Sequence, residues 1–150
     1  MKFINGGTPS TKTFIYDVYL PRLALFSKPK YGWGLWKVCC SDSSEFLGWV
    51  LIRPMDFFSD SPQQDNLEIG WRFKQSCWGK GIATEAALSV AKYVLELGYA
   101  KTLSAIALPD NHQSIRVMEK LGMTFVKTYL HNDPLGDAEV VLYEAHKPIY

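Results

Sequence analysis

Between residues 66 and 97 the chain runs a strand-like segment, a pair of glycines and a long amphipathic helix in direct succession, and this order restricts the fold more than any other feature. Over 66–73 the side chains alternate as in a β-strand: Leu67, Ile69, Trp71 and Phe73 fall on one face, Glu68, Gly70 and Arg72 on the other. Gly79-Lys80-Gly81 follows. From 79 to 97, Ile82, Ala86, Val90, Tyr93, Val94 and Leu97 recur at helical spacing, and Gly98 stops the helix as a C′ glycine. A strand that turns tightly into a helix feeds a second strand beyond it, so the chain reads as α/β (α+β), a sheet flanked by helices.

The flanking segments fit that reading. A loop ends in a cap at Ser10, and a helix is expected over 11–26, with Phe14, Val18 and Leu25 on one face and Pro21 kinking or splitting it. Strands are expected over 35–40 and 46–52, joined by the hairpin chemistry of Ser41-Asp42-Ser43-Ser44. Residues 54–64 read as a polar loop with Phe57 and Phe58 exposed. A short strand over 102–108 precedes a helix over 111–121, capped by Asp110 or Asn111, stopped by Gly122 and buried through Ile115, Met118 and Leu121. Strands over 124–130 and 139–145 finish the order. Trp33, Trp36 and Trp49 read as core or pocket lining, and Trp71 and Trp78 as wall and packing residues. The sheet should be mixed, antiparallel at first and parallel around the two well-formed helices.

Composition narrows the class. A chain of 150 residues, 47% apolar, suits one domain spanning 1–150 with one core. A net charge of +1 supplies no basic field for nucleic acid. No apolar run of about 18 residues exists, so no membrane span is expected, and 1–7 lacks the apolar run of a secretory leader. Cys39, Cys40 and Cys77 are odd in number and show no zinc-ligand spacing, which suggests reduced thiols, a cytoplasmic location and no metal.

The glycine turn is the chemical signal. Two glycines let the backbone approach a ligand without a Cβ clash, and the amides after them are the unpaired donors of a helix N-terminus. With Lys80 they make an anion site suited to a pyrophosphate; a tight strand-to-helix turn with no ligand accounts for the same residues. Two other phosphate motifs fail. No GxxxxGK[ST] string occurs, and the dinucleotide GxGxxG has Thr84 at its third glycine, with Tyr99, Ala100 and Lys101 where an acidic ribose ligand belongs.

Three blocks then stand in order: Leu67-Glu68-Ile69-Gly70-Trp71, Trp78-Gly79-Lys80-Gly81-Ile82-Ala83-Thr84-Glu85-Ala86, and Asn111 through Met123, beginning Asn111-His112-Gln113-Ser114-Ile115-Arg116. Together they resemble the GNAT superfamily of N-acetyltransferases, in the branch similar to the ribosomal-protein acetyltransferases RimJ and RimL. Ser76 departs from the glutamine or arginine that usually opens the family's loop. The resemblance implies a mostly antiparallel sheet with a central parallel pair splayed around coenzyme A. It implies acetyl-CoA as co-substrate, its pyrophosphate on Trp78, Gly79, Lys80, Gly81, Ile82, Ala83 and Thr84, and its pantetheine near Phe73 and Asn111. It also implies that the family's first strand and most of its first helix are missing ahead of 1–7, which would bare the strand edge at 35–40 beside Trp36, Val38 and Cys40 and favour a homodimer there.

Acetyl transfer to an amine needs a base for the amine, an oxyanion donor and an acid for the leaving thiolate. Glu68, on the strand entering the glycine turn, is the candidate base, with a salt bridge to Arg72 as its structural alternative. A backbone amide near 71–73 would serve the oxyanion. Ser114 is the candidate acid, unless its hydroxyl caps the helix; Tyr143 and Tyr129 are rivals, and His112 a weaker one. Either an active enzyme on a peptide N-terminus or small amine, or a binding module holding acyl-CoA without turnover, fits these residues.

Overall fold

The computed structural model describes residues 10–146, which form a six-stranded sheet in the order β1-β2-β3-β4-β6-β5. β1 (Gly34–Cys39), β2 (Phe46–Met55) and β3 (Gln63–Phe73) make an antiparallel meander. Helix α3 (Ile82–Glu96) crosses over to β4 (Thr102–Ala107), parallel to β3. Helix α4 (His112–Lys120) leads to β5 (Thr124–His131), and β6 (Ala138–His146) inserts between β4 and β5, antiparallel to both. The parallel pair expected around the second helix is therefore absent. β6 buries Val140, Val141, Leu142 and Ala145, while β5 is mostly exposed, so the more apolar strand takes the inner place.

The β3–β4 pair is short. It spans Asn66–Thr102, Leu67–Leu103 and Glu68–Ser104, after which the strands part and leave a fork in the sheet. Here lies the splayed parallel pair of an otherwise antiparallel sheet. On one face α3 packs Ala87, Ala91, Val94 and Leu95 toward Leu67, Ile69 and Leu103. The alanines let the helix come close; Ile82, Ala86 and Val90 flank this contact, and Tyr93 is exposed. Leu67, Ile69 and Leu103 are at most 1% exposed, and each contributes about 1.5–3 kcal/mol by its burial. Met118 and Leu121 are buried as the α4 spacing indicated.

The first helical segment departs from its predicted register. Thr11 is the cap, its Oγ1 accepting the Phe14 N–H at 3.1 Å, one residue beyond Ser10. α1 (Lys12–Phe14) passes through a π-helical turn (Ile15–Tyr19) into α2 (Leu20–Phe26), with Pro21 in the first turn of α2, where its missing N–H costs least. A π turn inserts one extra residue and rotates everything after it. Hence Leu25, expected to face inward, is 63% exposed, and Phe26 is buried instead. Phe57 and Phe58, expected to be exposed, pack edge-on against Phe26 at 5.9 and 6.3 Å.

β1 closes one side of the sheet among the described residues. Its Trp36 does not face that edge: Nε1–H donates to the Gly32 carbonyl at 2.9 Å and the ring meets Tyr93 of α3. Val38 likewise packs toward the core. The segment 1–7 lies outside the described residues. Among those described, no helix is long and apolar enough to cross a membrane.

Candidate active site

β3 ends at Phe73, a 3-10 turn (Gln75–Cys77) follows, and the chain enters α3 through Gly79 and Gly81. Both glycines hold left-handed φ values, 73° and 76°. A Cβ built on either meets nothing within 4 Å, so the described residues leave the space above the turn unfilled. Gly81 is the N-cap of α3 and has no side chain to cap with, so the first-turn N–H groups of Ile82, Ala83 and Thr84 lack a side-chain acceptor.

This turn opens on a cavity of about 650 Å³, a size common for ligand pockets. Trp78, Gly79, Gly81, Ile82, Ala83 and Thr84 line it, together with Phe73, Asn111 and Ser114. Lys80 is exposed beside it and is not part of the lining. Asn111 Oδ1 accepts the Ser114 N–H at 3.2 Å and so caps α4. The Ser114 hydroxyl has no hydrogen-bond partner among the described residues; the helix is capped by Asn111 and not by this serine. Cys77 is buried under the turn, its thiol 3.9 Å from the Leu47 carbonyl.

The sequence reading missed half of the lining. Arg72, Lys74, Arg116 and Lys120 all line the cavity, and among the described residues no carboxylate does. These cations come from β3, from Lys74 just after it and from α4, and β3 and α4 are far apart in the chain, so no local pattern announced the set. Gly48 was also missed. It pairs with Phe73, and a Cβ there would lie 2.3 Å from the Arg72 carbonyl oxygen and 2.6 Å from the Phe73 ring. A glycine inside a strand pattern is itself the signal of such a close approach.

Glu68 stands elsewhere. It is buried on the face turned away from α3, at the apex of the fork. Its partner is Arg53, not Arg72: the β2–β3 register sets Arg53 opposite it, with Nε 2.9 Å from Oε2 and Nη2 3.4 Å from Oε1. Arg53 lies 5.5 Å from both the Phe26 and the Phe58 ring centroids. Arg22 stacks on Phe58 at 3.8 Å and pairs with Asp133 at 3.0 Å. Burial alone would push the Asp133 carboxyl up, but the Leu135 N–H and the Arg22 guanidinium outweigh it and hold it below the usual value. Tyr143 is not brought to either group. It packs toward the α3-side core and edge-on to Phe125 at 5.8 Å, because strand alternation turns it from Glu144 and the fork. Tyr129 lies on the Glu68 side. Burial, then the negative charges of Asp56 and Glu68, push its hydroxyl up to about 12.

A family model described as an acetyltransferase (GNAT) domain matches residues 1–124. An uncharacterized Bacillus subtilis protein, YkkB, is 37% identical over 98 residues, covering 65% of this chain and 55% of that protein. The FsC-acetyl coenzyme A-N(2)-transacetylase of Aspergillus fumigatus is 31% identical over 135 residues, covering 87% and 55%. The chain thus spans about half the length of these two curated relatives. Among solved structures, an acetyltransferase from Agrobacterium tumefaciens superposes with a TM-score of 0.71 at 25% identity, covering 95% of this chain and 76% of that one.

Proposed function

The chain belongs to the GNAT acetyltransferase family, and from that premise we propose that it transfers an acetyl group from acetyl-CoA to a primary amine, a peptide N-terminus or a small-molecule amine. The observation that carries this reading is the open glycine cradle at the α3 N-terminus, set in a cavity whose charged side chains are all cations. Backbone N–H groups and four cations suit a ligand bearing several phosphates. The Aspergillus relative is itself named for acetyl coenzyme A.

In this reading the N–H groups of Ile82, Ala83 and Thr84 hold the pyrophosphate, and Phe73 and Asn111 flank the pantetheine arm. The amine attacks the thioester carbonyl carbon; the C–N bond forms and the C–S bond breaks. A free amine is mostly protonated at neutral pH, since an α-amino group titrates at about 8 and a lysine at about 10. Glu68 takes that proton, directly or through a water, and a backbone N–H near 71–73 stabilises the oxyanion. Ser114, its hydroxyl otherwise unpartnered among the described residues, protonates the departing sulfur and is restored by the second proton that the acylated nitrogen loses.

Gly81→Val tests the cradle. A branched side chain at this φ costs about 1–2 kcal/mol of stability and also intrudes on the ligand, so CoA affinity should fall by about 2 kcal/mol, roughly 30-fold. Gly98→Val is the control: Gly98 has φ 83° and equally open surroundings, away from the cavity. Calorimetry should show weaker CoA binding for Gly81→Val alone. Equal binding by both variants would remove the glycine turn from the CoA site. Thiol release from acetyl-CoA, screened over amines, tests transfer; tight CoA binding without release would mark an acyl-CoA-binding module.

Self-association through β1 is part of the same proposal. Its outer backbone groups are unpaired among the described residues, and Lys37 is its one charged side chain, so the edge can recruit a second copy. Sedimentation should show a dimer that grows with concentration, with β1 amides protected from hydrogen exchange only in the dimer. A monomer at every concentration, with those amides already protected, would show the edge covered from within the chain.

A further inference from the structure

Among the described residues, the sheet face turned away from α3 is only partly covered. Phe26, Phe57 and Phe58 lie over its β2–β3 half, around Arg53. Beside that half, against β6 and β5, a second cavity of about 220 Å³ opens. Met55, Val126 and Leu142 form its apolar walls; Asp56, Glu144 and Lys127 supply its charges. One polar row of the sheet runs along it. The registers set Arg53, Glu68, Ser104 and Glu144 side by side on β2, β3, β4 and β6, and Ser104 Oγ–H donates to Asn66 Oδ1 at 2.7 Å. The fork begins at the Glu68–Ser104 pair of this row.

The two cavities share no lining residue and differ in sign. Among the described residues, the larger is lined by four cations and no carboxylate, the smaller by two carboxylates and one cation. Nearby Glu68 and Asp133 leave that balance unchanged, since each is paired with an arginine. Lys127 extends its Nζ over the Tyr129 ring, 4.9 Å from the centroid. The Tyr129 hydroxyl is raised first by burial, and the negative charges of Asp56 and Glu68 add to the shift. Polyanionic and cationic reactants would thus be drawn to different cavities.

We infer that the smaller cavity takes the amine acceptor, and that this acceptor carries a second cationic group held by Asp56 and Glu144 while its reacting amine lies at Glu68. The inference rests on the acetyl-transfer reading and adds the substrate class to it.

Three amines of equal chain length test it: diaminobutane, butylamine and aminobutanoic acid, differing only in the charge at the far end. With thiol release as readout, kcat/KM should be about tenfold higher for diaminobutane than for butylamine, after allowing for its two reactive ends, and lowest for aminobutanoic acid. Asp56→Asn and Glu144→Gln should each lower the diaminobutane-to-butylamine ratio about fivefold, and Lys127→Gln should raise it. Asn suits the left-handed backbone of Asp56, φ 57°, so that variant should fold, as its thermal unfolding will show. Equal turnover of the three amines, or a ratio untouched in the folded variants, would overturn the inference and leave acetyl transfer standing. No release with any of the three, from protein that binds CoA in calorimetry, would overturn the inference; no release across the wider screen of amines and peptide N-termini would overturn the transfer reading with it.

Discussion

Replacing Glu68 by Gln is expected to lower kcat by about 100-fold or more, the usual contribution of a positioned base, while leaving the affinity for acetyl-CoA near that of the unaltered protein. The separation follows from geometry: Glu68 is at the apex of the fork and is not part of the cavity lined by the glycine turn. The pH–rate profile should also lose its rising limb. The substitution weakens the bidentate pair with Arg53, and breaking a buried pair outright costs about 3–5 kcal/mol. Gln retains one oxygen for the guanidinium, so the loss should be smaller, and thermal unfolding measures it separately. A folded Glu68→Gln variant with unchanged turnover would give the Glu68–Arg53 pair a structural role alone.

Gly48→Ala is expected to be the most damaging single-methyl change near the cavity. The new Cβ would stand 2.3 Å from the Arg72 carbonyl oxygen and 2.8 Å from Phe73 Cα. Both are backbone atoms, so no side-chain rotation relieves the clash, and the end of β3 must move away from β2. The cost is about 3 kcal/mol, the upper range for overpacking. Phe73 and the glycine turn follow that strand end, so CoA affinity should fall along with the unfolding midpoint. Gly70→Ala is the contrast: its nearest neighbours, Leu51 Cβ and Cδ2, are at an ordinary 3.6 Å, and stability should change by less than about 1 kcal/mol. If Gly48→Ala unfolds at the same temperature as the unaltered protein, β2 and β3 are not held as closely as described.

The glycine turn was legible because its signals are local. Alternation over 66–73, two glycines and helical spacing after them set φ, ψ and periodicity without help from distant residues, and β3, α3 and their turn appear close to where the pattern put them. Asn111 could be read as a cap for the same reason. The first helix shows where locality ends. Its cap was misplaced by one residue, and the π turn, which no spacing announced, moved the buried position from Leu25 to Phe26. The aromatic cluster of Phe26, Phe57 and Phe58 then formed across a long stretch of chain, turning an expected exposed loop into a wall.

By itself, then, the sequence determined an α/β chain with a glycine turn between a strand and a helix, since positive-φ glycines and the amides of a helix N-terminus are properties of neighbouring residues. Tertiary structure alone decided that Glu68 pairs with Arg53, 15 residues away; that cations from β3, Lys74 and α4 meet in one cavity; that β6 displaces β5 from the place beside β4; and that a second, oppositely charged cavity lies by the fork. Each of these depends on register and strand order, and these are settled by which apolar faces are buried together over the whole sheet, which no short window of sequence contains.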